Sequence, residues 1–193
     1  MTASNFTIST ALFIACCICM ACNNHEPKKI TKAFYYWKTN FAISSFEQRK
    51  LDSFHCKTFY VRFFDIDWDL GTNLPKPVAV NRFVQPLQIG VSCVPVIFIT
   101  QDVINKISAN GLEDLVRNFT NLLYEKCVQS KITPAEIQID FDWTVNNKDK
   151  YFLLLNLCKK QLFFKGKTLS CTIRLHQVRS PKASGVPPAD RAC

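Results

Sequence analysis

Short strand-like runs alternate with helical runs along the chain from residue 33 onward. The strand candidates are rich in β-branched and aromatic residues, and they span residues 33–38, 58–64, 94–100, 136–142 and 169–176. The helix candidates span residues 44–54, 102–108, 111–130 and 147–164, and the last two repeat apolar residues every three or four positions. This alternation of strands and helices predicts an α/β fold with a parallel sheet and right-handed crossovers.

Period-two alternation divides each predicted strand into two faces. The apolar sets are Phe59, Val61 and Phe63; Ile137, Ile139 and Phe141; and Leu169, Cys171, Ile173 and Leu175. The opposite sets are Tyr60, Arg62 and Phe64; Gln138, Asp140 and Asp142; and Ser170, Thr172, Arg174 and His176. A doubly wound sheet, which helices cover on both faces, has nearly continuous apolar strands. The polar sets therefore favour a parallel (β/α) barrel of the TIM type, whose lumen would hold them.

The predicted barrel is incomplete. A complete eight-stranded barrel needs about 250 residues, whereas this chain of 193 residues carries five predicted strands. We therefore predict a partial (β/α) barrel over residues 33–193, with unpaired edges on its first and fifth strands. The Pro- and Gly-containing segment 179–191 is predicted to be a long loop.

An apolar leader precedes the predicted barrel. Residues 1–22 contain no charged residue and no histidine, whereas the next ten residues contain three lysines. The apolar core of the leader, residues 11–21, has the length of a signal-peptide h-region and is shorter than the ~20 residues that span a bilayer. The composition predicts a signal peptide over residues 1–22 and a tether over residues 23–32.

Cys22 ends the leader in a context that resembles a lipobox. The small residue Ala21 precedes it and polar residues follow it, and in a lipobox this cysteine accepts diacylglycerol and becomes the mature N-terminus. Cys16 is a second candidate, and plain secretion is an alternative. The resemblance implies a chain that is lipid-anchored in the cell envelope, on a membrane face that points away from the cytoplasm.

The cysteines do not predict a metal or cofactor site, because the CxxC spacing of Cys16, Cys19 and Cys22 falls inside an apolar leader with no histidine nearby. Four of the ten lie inside the apolar leader, and the other six stand singly without ligand spacing, at positions 56, 93, 127, 158, 171 and 193. We read these six mostly as small hydrophobic residues of the core. No metal and no cofactor is predicted.

The distribution of charge along the chain narrows the classes of binding partner that we expect. The formal net charge is +9, but Lys28-Lys29 and Lys159-Lys160 are the only adjacent lysine pairs. This dispersed pattern differs from the clustered basic patches of nucleic-acid-binding proteins. It indicates a solvated surface, or attraction to an anionic membrane or polysaccharide.

Polar and aromatic residues recur where the predicted strands end, which is where barrel enzymes place their sites. They are Trp37, Asp65, Asp67, Thr100, Asp140, Asp142, Arg174 and His176. Sugar hydrolysis needs paired carboxyl groups, and Trp37, Trp68 and Trp143 offer rings that stack on a sugar. We assign Asp142 as the acid or nucleophile, with Asp140 beneath it.

The same residues also have a structural interpretation. Buried charges must be paired, so Arg62 or Arg174 would neutralise Asp140 inside the lumen. The three side chains would then form ion pairs and have no catalytic role. Trp68 and Trp143 would equally fill the core, and Asp65 or Asp67 would cap a loop.

Several segments resemble a family of uncharacterised bacterial lipoproteins that is regarded as glycosidase-like barrels. The similarity extends over about residues 33–191, and it rests on residues 34–39, 60–68, 95–100, 137–144 and 172–177. In such proteins the sequence continues past the segment 185–191 into further strands. The resemblance implies a barrel fold more than a known reaction.

The fourth predicted strand is distantly similar to family 18 glycosidases, the chitinase group. Their fourth strand ends in an Asp-x-Asp-x-Glu motif whose glutamate is the general acid. Asp140 and Asp142 match the two aspartates, but Thr144 stands at the glutamate position. Threonine cannot serve as a general acid at neutral pH, so the resemblance does not extend to that chemistry.

The sequence thus leads to one main hypothesis and two alternatives. The main hypothesis is an exported, membrane-tethered barrel that binds or hydrolyses a carbohydrate. The first alternative is a non-catalytic envelope lipoprotein that binds glycan or supports an assembly. The second alternative is an inactive, truncated barrel.

Overall fold

The computed structural model describes residues 32–87 and 90–193. The predicted signal peptide, the lipidation site at Cys22 and most of the tether lie outside the described residues, so these assignments stay predictions. Within the described residues, no helix has the length and apolar character that crossing a membrane requires.

A parallel sheet forms the centre of the fold. The nine strands of the described part are β1 Ala33–Tyr36, β2 Asn40–Phe41, β3 Thr58–Asp69, β4 Leu74–Val78, β5 Arg82–Phe83, β6 Ser92–Ile99, β7 Glu136–Asp140, β8 Thr168–Cys171 and β9 Arg191–Ala192. In the main sheet the order is β1-β3-β6-β7-β8-β9, and all of these neighbours pair in parallel. The strand β4 pairs antiparallel with β3, and β2 and β5 form a separate two-stranded sheet.

Helices connect most of the parallel strands. They are α1 Ser45–Ser53, α2 Gln101–Lys106, α3 Gly111–Gln129, α4 Lys148–Lys160, α5 Leu175–Arg179 and α6 Pro181–Ser184, with a 3₁₀ turn at Leu162–Phe164. The parallel strands lie in the sheet in the order in which they occur in the chain. A doubly wound sheet would reverse that order at a switch point. The described part is therefore an incomplete (β/α) barrel of the TIM type, as the sequence predicted.

The two faces of the sheet have different surroundings. The helix-facing side chains, such as Val61, Ile97 and Ile139, join residues of α3 and α4 in one large buried core. On the luminal face, Tyr60, Val94 and Val96 form a small separate cluster. The polar residues Glu136, Gln138 and Ser170 are also buried on this face. The predicted separation of an apolar and a polar face is confirmed along β7.

A β-bulge in β3 overturns one predicted orientation. Arg62 pairs with Val96 and Phe64 pairs with Ile97, so Phe63 is an extra residue in the ladder. Phe63 and Phe64 consequently both lie in the helix-side core, fully buried. The prediction that Phe64 faces the lumen was wrong, because strict alternation does not anticipate an inserted residue.

The fifth predicted strand is shorter than its alternation indicated. The strand β8 ends at Cys171, and α5 begins at Leu175, so His176 and the exposed Leu175 are helical. The Gln177 side chain accepts a hydrogen bond from the backbone N–H of Arg174 at 2.7 Å, which stabilises the start of α5. The assignment of Arg174, Leu175 and His176 to a strand was therefore wrong.

The segment after α5 is more structured than the predicted loop. It contains α6, and β9 begins at its last residue, Arg191. Because β9 pairs with β8, the predicted unpaired edge of the fifth strand is also wrong. Within the described residues, β1 and β9 are the outer strands of the main sheet.

The described cysteines lie mainly in the core, as predicted. Five are buried as free thiols, at positions 56, 93, 127, 158 and 171, and Cys193 is exposed. Burial raises the pKa of the Cys127 and Cys171 thiols to about 12. These thiols are therefore protonated at neutral pH and pack as small hydrophobic groups.

The bulge predicts an unequal effect of two phenylalanine truncations. Phe64→Ala should lower the free energy of unfolding by about 3–5 kcal/mol, because it leaves a cavity in the helix-side core. Phe98→Ala is the matched control, since Phe98 lies on the luminal side of β6 and is partly exposed. Urea unfolding followed by circular dichroism measures both. Equal losses would contradict the assignment of Phe64 to the core.

Candidate functional site

A cleft of about 520 Å³ opens at the carboxyl ends of the parallel strands. Its wall includes Trp37, Arg62, Asp140, Asp142 and Arg174, five residues that the sequence singled out as binding, catalytic or ion-pairing residues. The carboxyl ends of parallel strands meet at one edge of a sheet, so residues distant in sequence come together there. The cleft is the candidate functional site.

Asp140, the last residue of β7, is the most buried carboxyl group of the cleft wall, with 4% of its surface exposed. The Thr172 hydroxyl donates a hydrogen bond to its Oδ1 at 2.5 Å. Burial raises the pKa of Asp140, and the charge of Asp142 acts in the same direction. The hydrogen bond from Thr172 and the positive charges of Arg174 and Arg62 oppose this rise without cancelling it.

Asp142 is held by Arg174 in a two-point ion pair. The guanidinium donates from Nε to Oδ1 and from Nη2 to Oδ2, the latter at 2.8 Å. About half of each side chain is exposed, so the pair contributes about 0–1 kcal/mol to stability. The hydrogen bond to Asp142 also raises the pKa of Arg174. Each oxygen of this carboxylate therefore accepts one hydrogen bond from the same guanidinium.

Arg62 pairs with Asp65 across the bulge. Its Nε donates to Asp65 Oδ1 at 2.5 Å, and its Nη2 donates to Oδ2. The predicted ion pairs of Asp140 with Arg62 or Arg174 are thus wrong, because each arginine instead holds a different aspartate. Asp140 is left with a hydroxyl as its direct partner, which is why its burial is poorly compensated.

Three stacked aromatic rings form one wall of the lumen. The Tyr60 and Tyr35 rings lie 4.8 Å apart, and the Tyr35 and Trp37 rings lie 5.6 Å apart and nearly parallel. Trp37 is 46% exposed, and the Arg62 guanidinium lies 5.9 Å from its ring centre. The hydroxyl of Tyr35 donates to Gln138 Oε1 at 2.9 Å. Trp37 is thus the most exposed of the three stacked rings.

Tyr35 is a cleft residue that the sequence analysis missed. Burial raises the pKa of its hydroxyl to about 12, while the hydrogen bond to Gln138 acts in the opposite direction. The signal that would have found it is the alternation of the first strand. Tyr35 and Trp37 are two residues apart, so their side chains project from the same face.

Asp67 and Trp68 lie outside the cleft wall. Asp67 Oδ1 accepts hydrogen bonds from the Thr100 hydroxyl and from the backbone N–H of Trp68, both at 2.9 Å. Trp68 packs against the helix-side core and lines a separate groove of about 690 Å³ between β4 and α3. The polar contacts of Asp67 fit a structural role, which is the alternative to the binding role that was also considered from the sequence.

Trp143 and His176 do not line the cleft either. Trp143 is 1% exposed, stacks on Tyr151 at 5.5 Å and donates its indole N–H to the Ser184 carbonyl at 2.9 Å. This contact set fits packing between α4 and α6. His176 is exposed on α5 and does not line the cleft.

The loop after β7 carries no acidic group at the glutamate position of the family 18 motif. Thr144 occupies it, exposed, and its backbone N–H donates to Asn147 Oδ1 at 2.7 Å. This contact holds the turn that leads into α4. Across residues 32–87 and 90–193, no group of three or more histidines, cysteines or acidic residues is placed to hold a metal ion.

Comparison with known proteins gave matches to solved structures. No family model matches the sequence. No curated protein matches it either. A chitinase from Chromobacterium violaceum has a TM-score of 0.44 and 12% identity, with 84% of this chain and 55% of that chain covered. The Bacillus cereus spore cortex-lytic enzyme SleL has a TM-score of 0.42 and 17% identity, with 76% and 36% covered.

A third similar structure is catalytic domain 2 of an Ostrinia furnacalis Group II chitinase. Its TM-score is 0.40 and its identity is 11%, with 74% of this chain and 43% of that chain covered. The present chain therefore spans about half, or less, of the length of the structures that it matches.

The raised pKa of Asp140 predicts how stability depends on pH. The folded state binds this proton more tightly than the unfolded state, so the free energy of unfolding should fall as pH rises above about 4. Asp140→Asn keeps the acceptor for Thr172 and cannot ionise. It should therefore be more stable than the wild type at neutral pH, with the difference vanishing below about pH 4. Melting temperatures of both proteins, taken from below pH 4 to neutral pH, measure this difference in stability.

Asp142→Asn is the matched control for this prediction. Its half-exposed pair with Arg174 should change the free energy of unfolding by no more than about 1 kcal/mol. If Asp140→Asn lost stability at neutral pH, ionised Asp140 would be a stabilising group, and the assignment of an uncompensated carboxyl group would be refuted.

Proposed function

We propose that the strand-end cleft binds a carbohydrate. The observation that carries the proposal is the exposed ring of Trp37, stacked on Tyr35 and set in the same cleft as the Arg174–Asp142 pair. An aromatic face packs against the C–H groups of a sugar ring, and planar charged groups hydrogen-bond its hydroxyls. Sites for small ligands typically combine an aromatic wall with a small number of polar groups that point toward the ligand.

The charge balance of the cleft favours a neutral sugar. Arg62 is bound to Asp65 and Arg174 is bound to Asp142, so both cations already have anionic partners. An acidic sugar would have to displace a carboxylate from one of these arginines. A neutral hydroxyl can instead bond the remaining donors and acceptors without breaking either pair.

Binding without hydrolysis is the version that the contacts support best. Most glycoside hydrolases use one carboxyl group as an acid and a second as a base or nucleophile. Both oxygens of Asp142 are engaged by Arg174, and Thr144 supplies no carboxyl group. The cleft therefore lacks a free second carboxylate among the described residues that form it.

Hydrolysis is a second candidate because of one observation. Burial raises the pKa of Asp140, and a general acid benefits from a raised pKa. A substrate that drew Arg174 away from Asp142 would free the second carboxylate. Asp140 would then protonate the leaving oxygen, and Asp142 would act as the base or nucleophile.

We further propose that the chain is exported and anchored by lipid on Cys22. The support is the uncharged apolar leader of residues 1–22, which ends at a cysteine that follows a small residue. Such an anchor would hold the cleft near the outer face of a membrane, where glycans are accessible.

Trp37→Ala should weaken binding of a neutral oligosaccharide by about tenfold or more, because the stacking surface is lost. Trp68→Ala is the matched control, since Trp68 is a partly exposed tryptophan that lines the separate groove. Isothermal titration with chitin oligosaccharides and a panel of other neutral oligosaccharides measures both. Equal affinity of the Trp37 variant and the wild type for every bound sugar would contradict the proposed site.

The same panel separates binding from hydrolysis. Intact sugars after prolonged incubation with the wild type would support binding alone. Release of reducing ends by the wild type and its loss in Asp140→Asn would favour the second candidate instead. No binding and no cleavage across the panel would refute the carbohydrate proposal.

Cys22→Ala should abolish lipid labelling of the chain, because the acceptor thiol is removed. Cys16→Ala is the control, since Cys16 is the second candidate for lipidation. Metabolic labelling with a fatty-acid analogue, followed by fractionation, measures the result. Labelling that persists in Cys22→Ala and disappears in Cys16→Ala would move the anchor to Cys16.

A further inference from the structure

Three phenylalanines form an exposed patch at the edge of the sheet. Phe34 of β1 lies 5.9 Å from Phe54, which follows α1, and Phe46 of α1 is 62% exposed. All three line a shallow groove of about 200 Å³, together with Lys50. We call Phe34, Phe46 and Phe54 the aromatic patch. Clustered exposed aromatic residues of this kind mark an interaction surface more often than isolated ones do.

Lysines surround the aromatic patch. The Lys32 ammonium lies 6.0 Å from the Phe54 ring centre, and the Lys50 ammonium lies 5.6 Å from the Phe46 ring centre. Glu47 also lines the groove, and its carboxylate is paired with Lys38 at 2.8 Å. Lys32 and Lys50 have no anionic partner among the salt bridges of the described residues. The patch is thus apolar at its centre and positive at its rim.

We propose that the aromatic patch docks onto the interface of an anionic lipid bilayer. Phenylalanine rings insert at the boundary between headgroups and acyl chains, while lysines remain at headgroup level and attract anionic lipids. The composition of the patch therefore matches a membrane surface on both counts, apolar area and charge.

The position of the patch in the chain supports this occupant. The proposal rests on the lipid anchor at Cys22, and Lys32 is ten residues from that cysteine. Ten residues span at most about 35 Å when fully extended. An anchored chain therefore keeps Lys32, and Phe34 two residues later, within reach of the bilayer. Lys28 and Lys29 add positive charge to the same short segment.

A second copy of the chain is a poorer occupant. A symmetric dimer through this surface would place the patch of one copy against the patch of the other. The lysines of both rims would then meet, and like charges at an interface are unfavourable. A bilayer with anionic headgroups instead supplies the opposite charge.

Docking on this surface is compatible with an open cleft. Phe34 pairs with Phe59 of β3, which faces the helix-side core, whereas Tyr35 and Trp37 project to the lumen. The patch and the cleft therefore use opposite faces of the same edge strand. A bilayer that covers the patch does not have to cover the stacked rings of the cleft.

The test places a photoreactive residue on the patch. The full chain, with p-benzoylphenylalanine in place of Phe46, is bound to vesicles of phosphatidylcholine that contain about one third phosphatidylglycerol. The matched control carries the same group at Leu162, which is 81% exposed in the 3₁₀ turn after α4. Both positions are exposed, so neither replacement disturbs the core, and circular dichroism checks the fold.

We expect at least about fivefold more lipid adduct at position 46 than at position 162. Lys50→Gln should reduce the adduct, and so should vesicles of phosphatidylcholine alone. Equal adducts at the two positions would overturn the proposal. An adduct of twice the chain mass at position 46 would also overturn it, because the patch would then contact a second copy.

A parallel measurement on Cys22→Ala separates this proposal from the anchor. Loss of lipid labelling at Cys22 tests the anchor alone, by mass spectrometry. A lipid adduct at position 46 that persists in Cys22→Ala on anionic vesicles supports the patch, whichever cysteine carries lipid. An anchored chain without that adduct would refute the patch and leave the anchor intact.

Discussion

The sequential parallel pairing of the main sheet is the constraint on which the rest of the structure depends. Because β1, β3, β6, β7, β8 and β9 are neighbours in chain order, their carboxyl ends meet at one edge. The helices can then cover one face, and the other face becomes a lumen that accepts polar residues. Residues as distant as Trp37 and Arg174 line one cleft for this reason alone.

Charge compensation within the lumen follows from the same geometry. The bulge in β3 brings Arg62 and Asp65 together, although a regular strand would direct side chains three residues apart to opposite faces. Arg174 leaves the sheet at the end of β8 and turns to Asp142. Both cations are thus satisfied by other carboxylates, and Asp140 is buried beside them with a hydroxyl partner.

The sequence predicted the features that depend on periodicity. The four predicted helices, the parallel strands and the polar lumen all follow from patterns that repeat along the sequence. The features that it missed depend on single residues. The inserted residue Phe63 turns the Phe64 side chain from the luminal face to the helix-side face. The strand β9 has only two residues, which is too short for alternation to be detected.

The site was predicted in part for similar reasons. Trp37, Asp140, Asp142 and Arg174, which were predicted at strand ends, line one cleft in the structure. Alternation could not show that the chain turns into α5 after β8, because Arg174 and His176 fit the alternating pattern as well as they fit a helix start. Trp143 lies three residues beyond β7, and its indole N–H donates to Ser184 of α6, a segment that was predicted to be a loop.

The first strand shows how closely the two proposed surfaces depend on one backbone register. Its four residues alternate, with Phe34 on the helix side and Tyr35 on the luminal side, and Trp37 continues the luminal set. A shift of one residue against β3 would move Tyr35 and Trp37 out of the lumen and Phe34 into it. The buried Tyr36 opposes such a shift, because its ring packs on Phe41 and its hydroxyl lies 2.8 Å from the carbonyl oxygens of Asn40 and Ala42 and accepts from the backbone N–H of Ala42. One buried side chain of the edge strand therefore fixes the orientation of both surfaces.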